Sequence, residues 1–228
     1  MSNPLLQERR RRLSVGVVAV GVVLLAIVTM VGVKYWQEHS KISVTASGRP
    51  EPVVITGPGT AGKGITIGKA GAKTNIDLYL DFRCPHCEEF ETATGPTLDK
   101  LVEDGTATIT YWPLAFVSPD DSPRLANAFA ASAASGKALS FVDAVYGDFS
   151  KAWTTDQLMQ LGKQLGVDET KYAAAVNGNT YAGWIDSVSN ASTDRGVTGT
   201  PTAYVNGNQV DAQKMTPDGI KAAVESSS

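Results

Sequence analysis

The chain contains two cysteines, Cys84 and Cys87, set apart by Pro85 and His86 where a strand-like run gives way to a helix-like one. Ile76 to Phe82 is rich in strand formers and partly alternates apolar with polar residues. Pro85 suits a first helical turn, and Phe90, Leu98, Leu101 and Val102 supply an interrupted apolar face for a helix running to about Glu103. Asp104-Gly105 then turns the chain into a strand over Ala107 to Trp112. A strand, a crossover helix and a second strand make a parallel pair, so the cysteines open the helix of a βαβ unit.

That placement has chemical consequences. Cysteines three apart on one helix face have β-carbons about 5 to 6 Å apart, close enough to bridge with little backbone movement. Cys84, at the helix N-terminus, meets free N–H groups and the positive end of the helix dipole, which lower a thiol pKa below the roughly 8.5 of a free cysteine. His86 adds a donor near the same sulfur and, when protonated, a positive charge. A stabilised thiolate favours the reduced pair, so the disulfide is readily given away. Cys84 is expected to carry the mixed disulfide and Cys87, one turn in, to resolve it. An inert bridge over so short a loop would stabilise little. A Cys/His metal site would need a further ligand from Asp, Glu, Met or His39, so no metal and no cofactor beyond the dithiol are expected.

The remaining chain divides by composition. Arg9 to Arg12 precede 21 uncharged residues, Leu13 to Val33, long enough at about 1.5 Å per residue to cross a hydrocarbon core of about 30 Å. The arginines hold the N-terminus in the cytoplasm, and Tyr35 and Trp36 suit the far interface. A cleaved signal peptide would have a shorter apolar core and a small-x-small site, where Lys34-Tyr35-Trp36 stands instead. The expected layout is a basic tail over 1–12, a transmembrane anchor over 13–33 and an extracytoplasmic linker over 34–64, eight of whose residues from Ser47 to Gly64 are Gly or Pro. Within the linker, Gly57 to Lys63 imitates a phosphate-binding loop, but Gly64 replaces the magnesium-holding Ser or Thr and a strand follows instead of a helix. With 20 basic and 23 acidic residues overall, nothing favours nucleic acid.

Beyond the βαβ unit, residues 118–194 read as a helical subdomain. Ser122-Pro123 is expected to cap its first helix, and Thr154 with Gln157 forms a capping box ahead of Leu158, Leu161 and Leu165. Strands return at Thr202 to Val205 and Gln209-Val210 around an Asn206-Gly207 hairpin turn, and Thr216-Pro217 starts a last helix. Gly199-Thr200-Pro201, before a strand, is the place for a cis bond.

Asp81-Phe82-Arg83-Cys84-Pro85-His86-Cys87-Glu88-Glu89-Phe90-Glu91, the helical insertion, and Gly196-Val197-Thr198-Gly199-Thr200-Pro201-Thr202 together resemble the DsbA-like thiol-disulfide oxidoreductases of the thioredoxin superfamily, above all the membrane-anchored actinobacterial type. The resemblance covers roughly residues 65 to 225. It implies an α/β, thioredoxin-like fold with an inserted helical subdomain, its first part over 65–117 and its second over 195–228. It carries over Cys84, Pro85, His86 and Cys87 as the dithiol motif. Pro201 becomes the cis-proline facing the sulfurs, and the backbone of Thr200 pairs with an extended substrate segment. The partners implied are secreted or cell-surface proteins with cysteines and a reoxidising membrane protein, for a monomer on the outer face of the cell membrane. An isomerase, a reductase, or a non-catalytic assembly or metal-delivery module are the alternatives. One departure stands out. Many superfamily members place a buried acid six residues before the first cysteine, and Leu78 occupies that position. Asp81, Glu88 or water could then take the proton of Cys87, although solvated acids on strand and helix are the plainer description of both.

Overall fold

The computed structural model describes residue 22, residues 25–34 and residues 51–227, and the chain divides into two units, 1–43 and 44–228. In the first unit residues 25–34 are helical, with Leu25, Val28 and Met30 exposed. Most of the expected anchor lies outside the described residues, among which no helix is long and apolar enough to cross a membrane.

The second unit is built on a six-stranded mixed sheet with strand order β1-β2-β4-β3-β5-β6. The strands are β1 (Val54–Thr56), β2 (Ile65–Ile67), β3 (Thr74–Leu80), β4 (Ala107–Pro113), β5 (Thr202–Val205) and β6 (Asn208–Gln209). β3 and β4 are parallel, with Ile76 opposite Ile109, and the remaining pairs are antiparallel. The parallel pair is joined by α1 (Pro85–Glu103), which buries Cys87, Phe90, Thr94, Leu98 and Val102 on one stripe and continues through Pro96. β5 then adds along β3, opposing Asp77 to Tyr204 and Tyr79 to Thr202. Asn206 (φ 46°) and Gly207 (φ 85°) both adopt the left-handed backbone that a two-residue hairpin demands.

Between β4 and β5 lies the helical insertion: α2 (Asp121–Ala134), α3 (Ala138–Gly147), α4 (Thr155–Leu165), α5 (Glu169–Asn177) and α6 (Ala182–Asp194). Thr154 and Gln157 form the reciprocal capping box, and Leu158, Leu161 and Leu165 are buried behind it. A short 3₁₀ turn (Ala212–Lys214) and α7 (Pro217–Ser226), capped by Thr216, complete the unit.

Two expectations are corrected. The fold is already under way before Ile65, since β1 precedes β2 in the sheet and Glu51 is bonded to the insertion. β2 would otherwise present unpaired backbone groups at a sheet edge, and β1 covers them. Glu51 fastens this segment by accepting from the amides of Leu139 (3.2 Å) and Ser140 (3.1 Å), the free N–H groups that open α3. The Gly57 to Gly64 stretch is likewise held, since the Trp184 indole donates to Lys63 O (2.9 Å) and the Gly62 amide to Ser187 Oγ (3.0 Å). Secondly, Ser122 does not cap α2, whose N-cap is Asp120. Its hydroxyl is taken by a buried carboxylate, described next.

Candidate active site

β3 delivers the chain to the dithiol in four residues. Phe82 packs among Phe129, Phe141 and Tyr146 of the insertion at centroid separations of 5.2 to 5.5 Å, which fixes the exit from the sheet. Cys84 is the N-cap of α1 and Pro85 its first residue, where a missing N–H costs nothing. Cys84 O accepts from the amides of Cys87 (3.1 Å) and Glu88 (3.2 Å). Both cysteines are free thiols. Cys84 is 6% exposed and Cys87 not at all, so a partner can reach only the first.

The electrostatics separate the two sulfurs. Cys84 is lowered from 9.0 to about 5, chiefly because the Cys87 thiol donates to it, with the amides of Cys87 and His86 at the helix start acting in the same sense against burial. Burial, then the neighbouring Cys84, pushes Cys87 far above the ordinary thiol range, so it stays protonated. His86 departs from the sequence expectation of a donor beside the sulfur. Its ring is 77% exposed and its Nδ1 meets Glu89 Oε2 at 3.1 Å, so the side chain is turned outward and the histidine acts on Cys84 mainly through its amide. Glu89 raises the His86 pKa.

The Gly196 to Pro201 loop closes the site from the far side of β3. The Thr200–Pro201 bond is cis, and the Cys84 thiol donates to Thr200 O at 3.4 Å. Thr202 Oγ1 ties the turn by donating to Gly199 O (2.8 Å).

The two acids proposed for the proton route sit in different surroundings, Asp81 in the interior and Glu88 half-exposed on α1. Asp81 is fully buried and saturated. Its Oδ1 accepts from the Arg83 amide (2.8 Å) and the Ser122 hydroxyl (2.7 Å), and its Oδ2 from the Phe116 and Val117 amides (3.0 Å each). Such a carboxylate holds a loop and has no free lone pair directed at a thiol. Glu88 accepts from Thr92 Oγ1 (3.3 Å). Leu78, at the position of the usual acid, is buried in the core.

Three residues escaped the sequence reading. Arg83 reaches into the insertion, donating to Phe149 O (3.0 Å) and Lys151 O (3.1 Å) while its guanidinium lies 5.2 Å over the Phe149 ring. Tyr146, wholly buried, donates to Asp81 O at 3.2 Å. Arg195, just after α6, pairs with Asp77 of β3 at 2.9 Å. Arg83 stands next to Cys84 and could have been suspected on that ground. The contacts of Tyr146 and Arg195 span 65 and 118 positions, beyond any local signal.

A thioredoxin family model matches residues 60–226, most of the chain. The chain belongs to the thioredoxin family. Among solved structures it is similar to MdbA of Actinomyces oris, a thiol-disulfide oxidoreductase, at 27% identity and a TM-score of 0.62 over 71% of this chain and 84% of that one. It is also similar to DsbG of Mycobacterium tuberculosis, a disulfide bond oxidoreductase, in its reduced form, at 26% identity and a TM-score of 0.60 over 75% and 89%. BdbD of Bacillus subtilis, at 20% identity and a TM-score of 0.64 over 78% and 98%, shares the fold. No curated protein matches. The thioredoxin-like α/β fold expected from the sequence is thus the observed one, and its structural relatives are DsbA-like thiol-disulfide oxidoreductases.

Proposed function

We propose that this protein is a membrane-tethered, extracytoplasmic dithiol oxidase that passes the Cys84–Cys87 disulfide to cysteines of secreted or cell-surface proteins. The observation carrying the reading is the asymmetry of the pair: Cys84, at the helix start with an edge exposed, has its pKa lowered, while the fully buried Cys87 has its pKa raised. A substrate thiolate attacks Cys84 Sγ of the disulfide, and Cys87 leaves and takes up a proton. The second substrate thiolate then attacks the substrate sulfur of the mixed disulfide and releases Cys84 as thiolate. Two electrons move from substrate to enzyme, and a membrane partner withdraws them to restore the disulfide. Thr200 O, 3.4 Å from Cys84, lies at the end of a cis-proline turn where an extended substrate backbone can pair. Arg9 to Arg12 before the uncharged Leu13 to Val33 run supports a cytoplasmic N-terminus and an outward-facing dithiol, the side on which disulfides persist.

Alkylation trapping in cells tests the direction of transfer. The oxidase reading expects the pair mostly disulfide-bonded at steady state, and Cys87→Ala protein captured in mixed disulfides through Cys84. A pair found mostly reduced would make the protein a reductase or isomerase instead.

A further inference from the structure

Cys84 works only if the loop carrying Thr200 stays in register with it, and that loop starts and ends on the same short segment of β3. At its far end, β5 pairs Thr202 with Tyr79. At its near end stands Arg195, the C-cap residue of α6, immediately before Gly196 (φ 84°) reverses the chain. Its Nη1 donates to Asp77 Oδ2 (2.9 Å) and to the Tyr79 hydroxyl (3.1 Å), and its guanidinium lies over Tyr204 with Cζ 4.0 Å from the ring centroid. Asp77 is braced in turn, accepting from the Trp112 indole and the Asn75 amide group at 3.0 Å each, and Trp112 stacks on Tyr79 at 5.2 Å. A guanidinium that satisfies a carboxylate, a phenol and an aromatic face at once has little freedom to move.

We propose that Arg195 is a positioning residue for substrate pairing: by locking the entry of the Gly196 to Pro201 loop onto Asp77 and Tyr79, it fixes where Thr200 presents its backbone to an extended polypeptide at Cys84. This rests on the oxidoreductase reading. Arg195 acts through the loop. The demand it meets is one that only a polypeptide makes, because a small dithiol needs the sulfur alone.

The test compares two reductants of the preformed Cys84–Cys87 disulfide in the full chain in detergent micelles: an extended synthetic peptide with two cysteines, and dithiothreitol. Arg195→Met keeps length and removes the charge. The ratio of the peptide rate to the dithiothreitol rate should fall about tenfold, through peptide KM, as expected for loss of a charge-assisted contact. Arg195→Lys should recover part of the ratio, since an ammonium reaches Asp77 but cannot cover Tyr204. Asp77→Asn, which keeps an acceptor for Trp112, should lower the ratio in the same direction and serves if Arg195→Met does not fold. An unchanged ratio, or two rates that fall together, would overturn the proposal, because a role confined to stability treats both reductants alike. Wild-type protein that oxidises neither reductant would overturn the oxidoreductase reading and this inference with it, whereas an active wild type with an unchanged variant ratio overturns the inference alone.

Discussion

Two aspartates four positions apart, Asp77 within β3 and Asp81 just past its end, hold the two halves of the site by different means. Asp81 gathers only neutral donors, three backbone amides and a hydroxyl, and binds the dithiol loop to the segment leading into α2. Asp77 is met by a guanidinium and an indole and binds the cis-proline loop to the sheet. The first arrangement is sealed from solvent. The second leaves Arg195 30% exposed at its edge. A carboxylate surrounded by four fixed donors is a rigid joint, and removing it strands every donor at once. An ion pair at the rim is an adjustable one, open to salt and to conservative replacement.

Substitutions should separate the joints by size. Asp81→Ala leaves buried amides and a hydroxyl without an acceptor and should cost about 3–5 kcal/mol in chemical denaturation of the reduced protein. A loss under about 1 kcal/mol would mean that water replaces the carboxylate and that the joint is not rigid. Asp77→Asn should cost about 1–2 kcal/mol, and that cost should shrink in high salt, whereas the Asp81→Ala cost should not. Equal salt dependence would erase the distinction. Ser122→Ala removes one of the four Asp81 contacts and should cost about 1 kcal/mol. Smallest of all, Glu89→Gln should return the His86 pKa, followed by its ring proton resonances, towards the ordinary histidine value without a measurable change in stability, because that pair is solvated. A His86 pKa unmoved by the substitution would show that Glu89 is not its partner in solution.

The contrast also explains what could be read from the chain alone. The dithiol, Pro201, the Asn206-Gly207 turn and the Thr154 capping box are written in spacings of two to four residues, and each is where it was expected. The two joints are not local. Asp81 draws its outer donors from positions 35 to 41 residues later, so on its own it reads as a surface acid at a strand end. Ser122 satisfies every local rule for a helix cap, yet a deeper acceptor claims its hydroxyl. Glu51 sits in a Gly/Pro-rich run whose composition suggests a free tether, and only the unfilled amides of α3, about ninety positions on, reveal that the run is folded. His86 erred the other way. Proximity in sequence to Cys84 suggested a donor, but the i,i+3 geometry of the helix offered its ring to Glu89.

Both joints serve one end, a Cys84 sulfur that prefers to be a thiolate. The most direct test is the thiolate absorbance of the reduced protein as a function of pH, with Cys84→Ser as the blank. A midpoint near 5 is expected. Since the folded pKa is lowered from 9.0, ionisation of Cys84 stabilises the reduced fold fully above pH 9 and ceases to do so as the pH falls through about 5. The stability advantage of reduced over oxidised protein should therefore narrow over that window. A thiolate midpoint at or above the roughly 8.5 of an ordinary cysteine would contradict the account, because such a pair has no reason to surrender its disulfide.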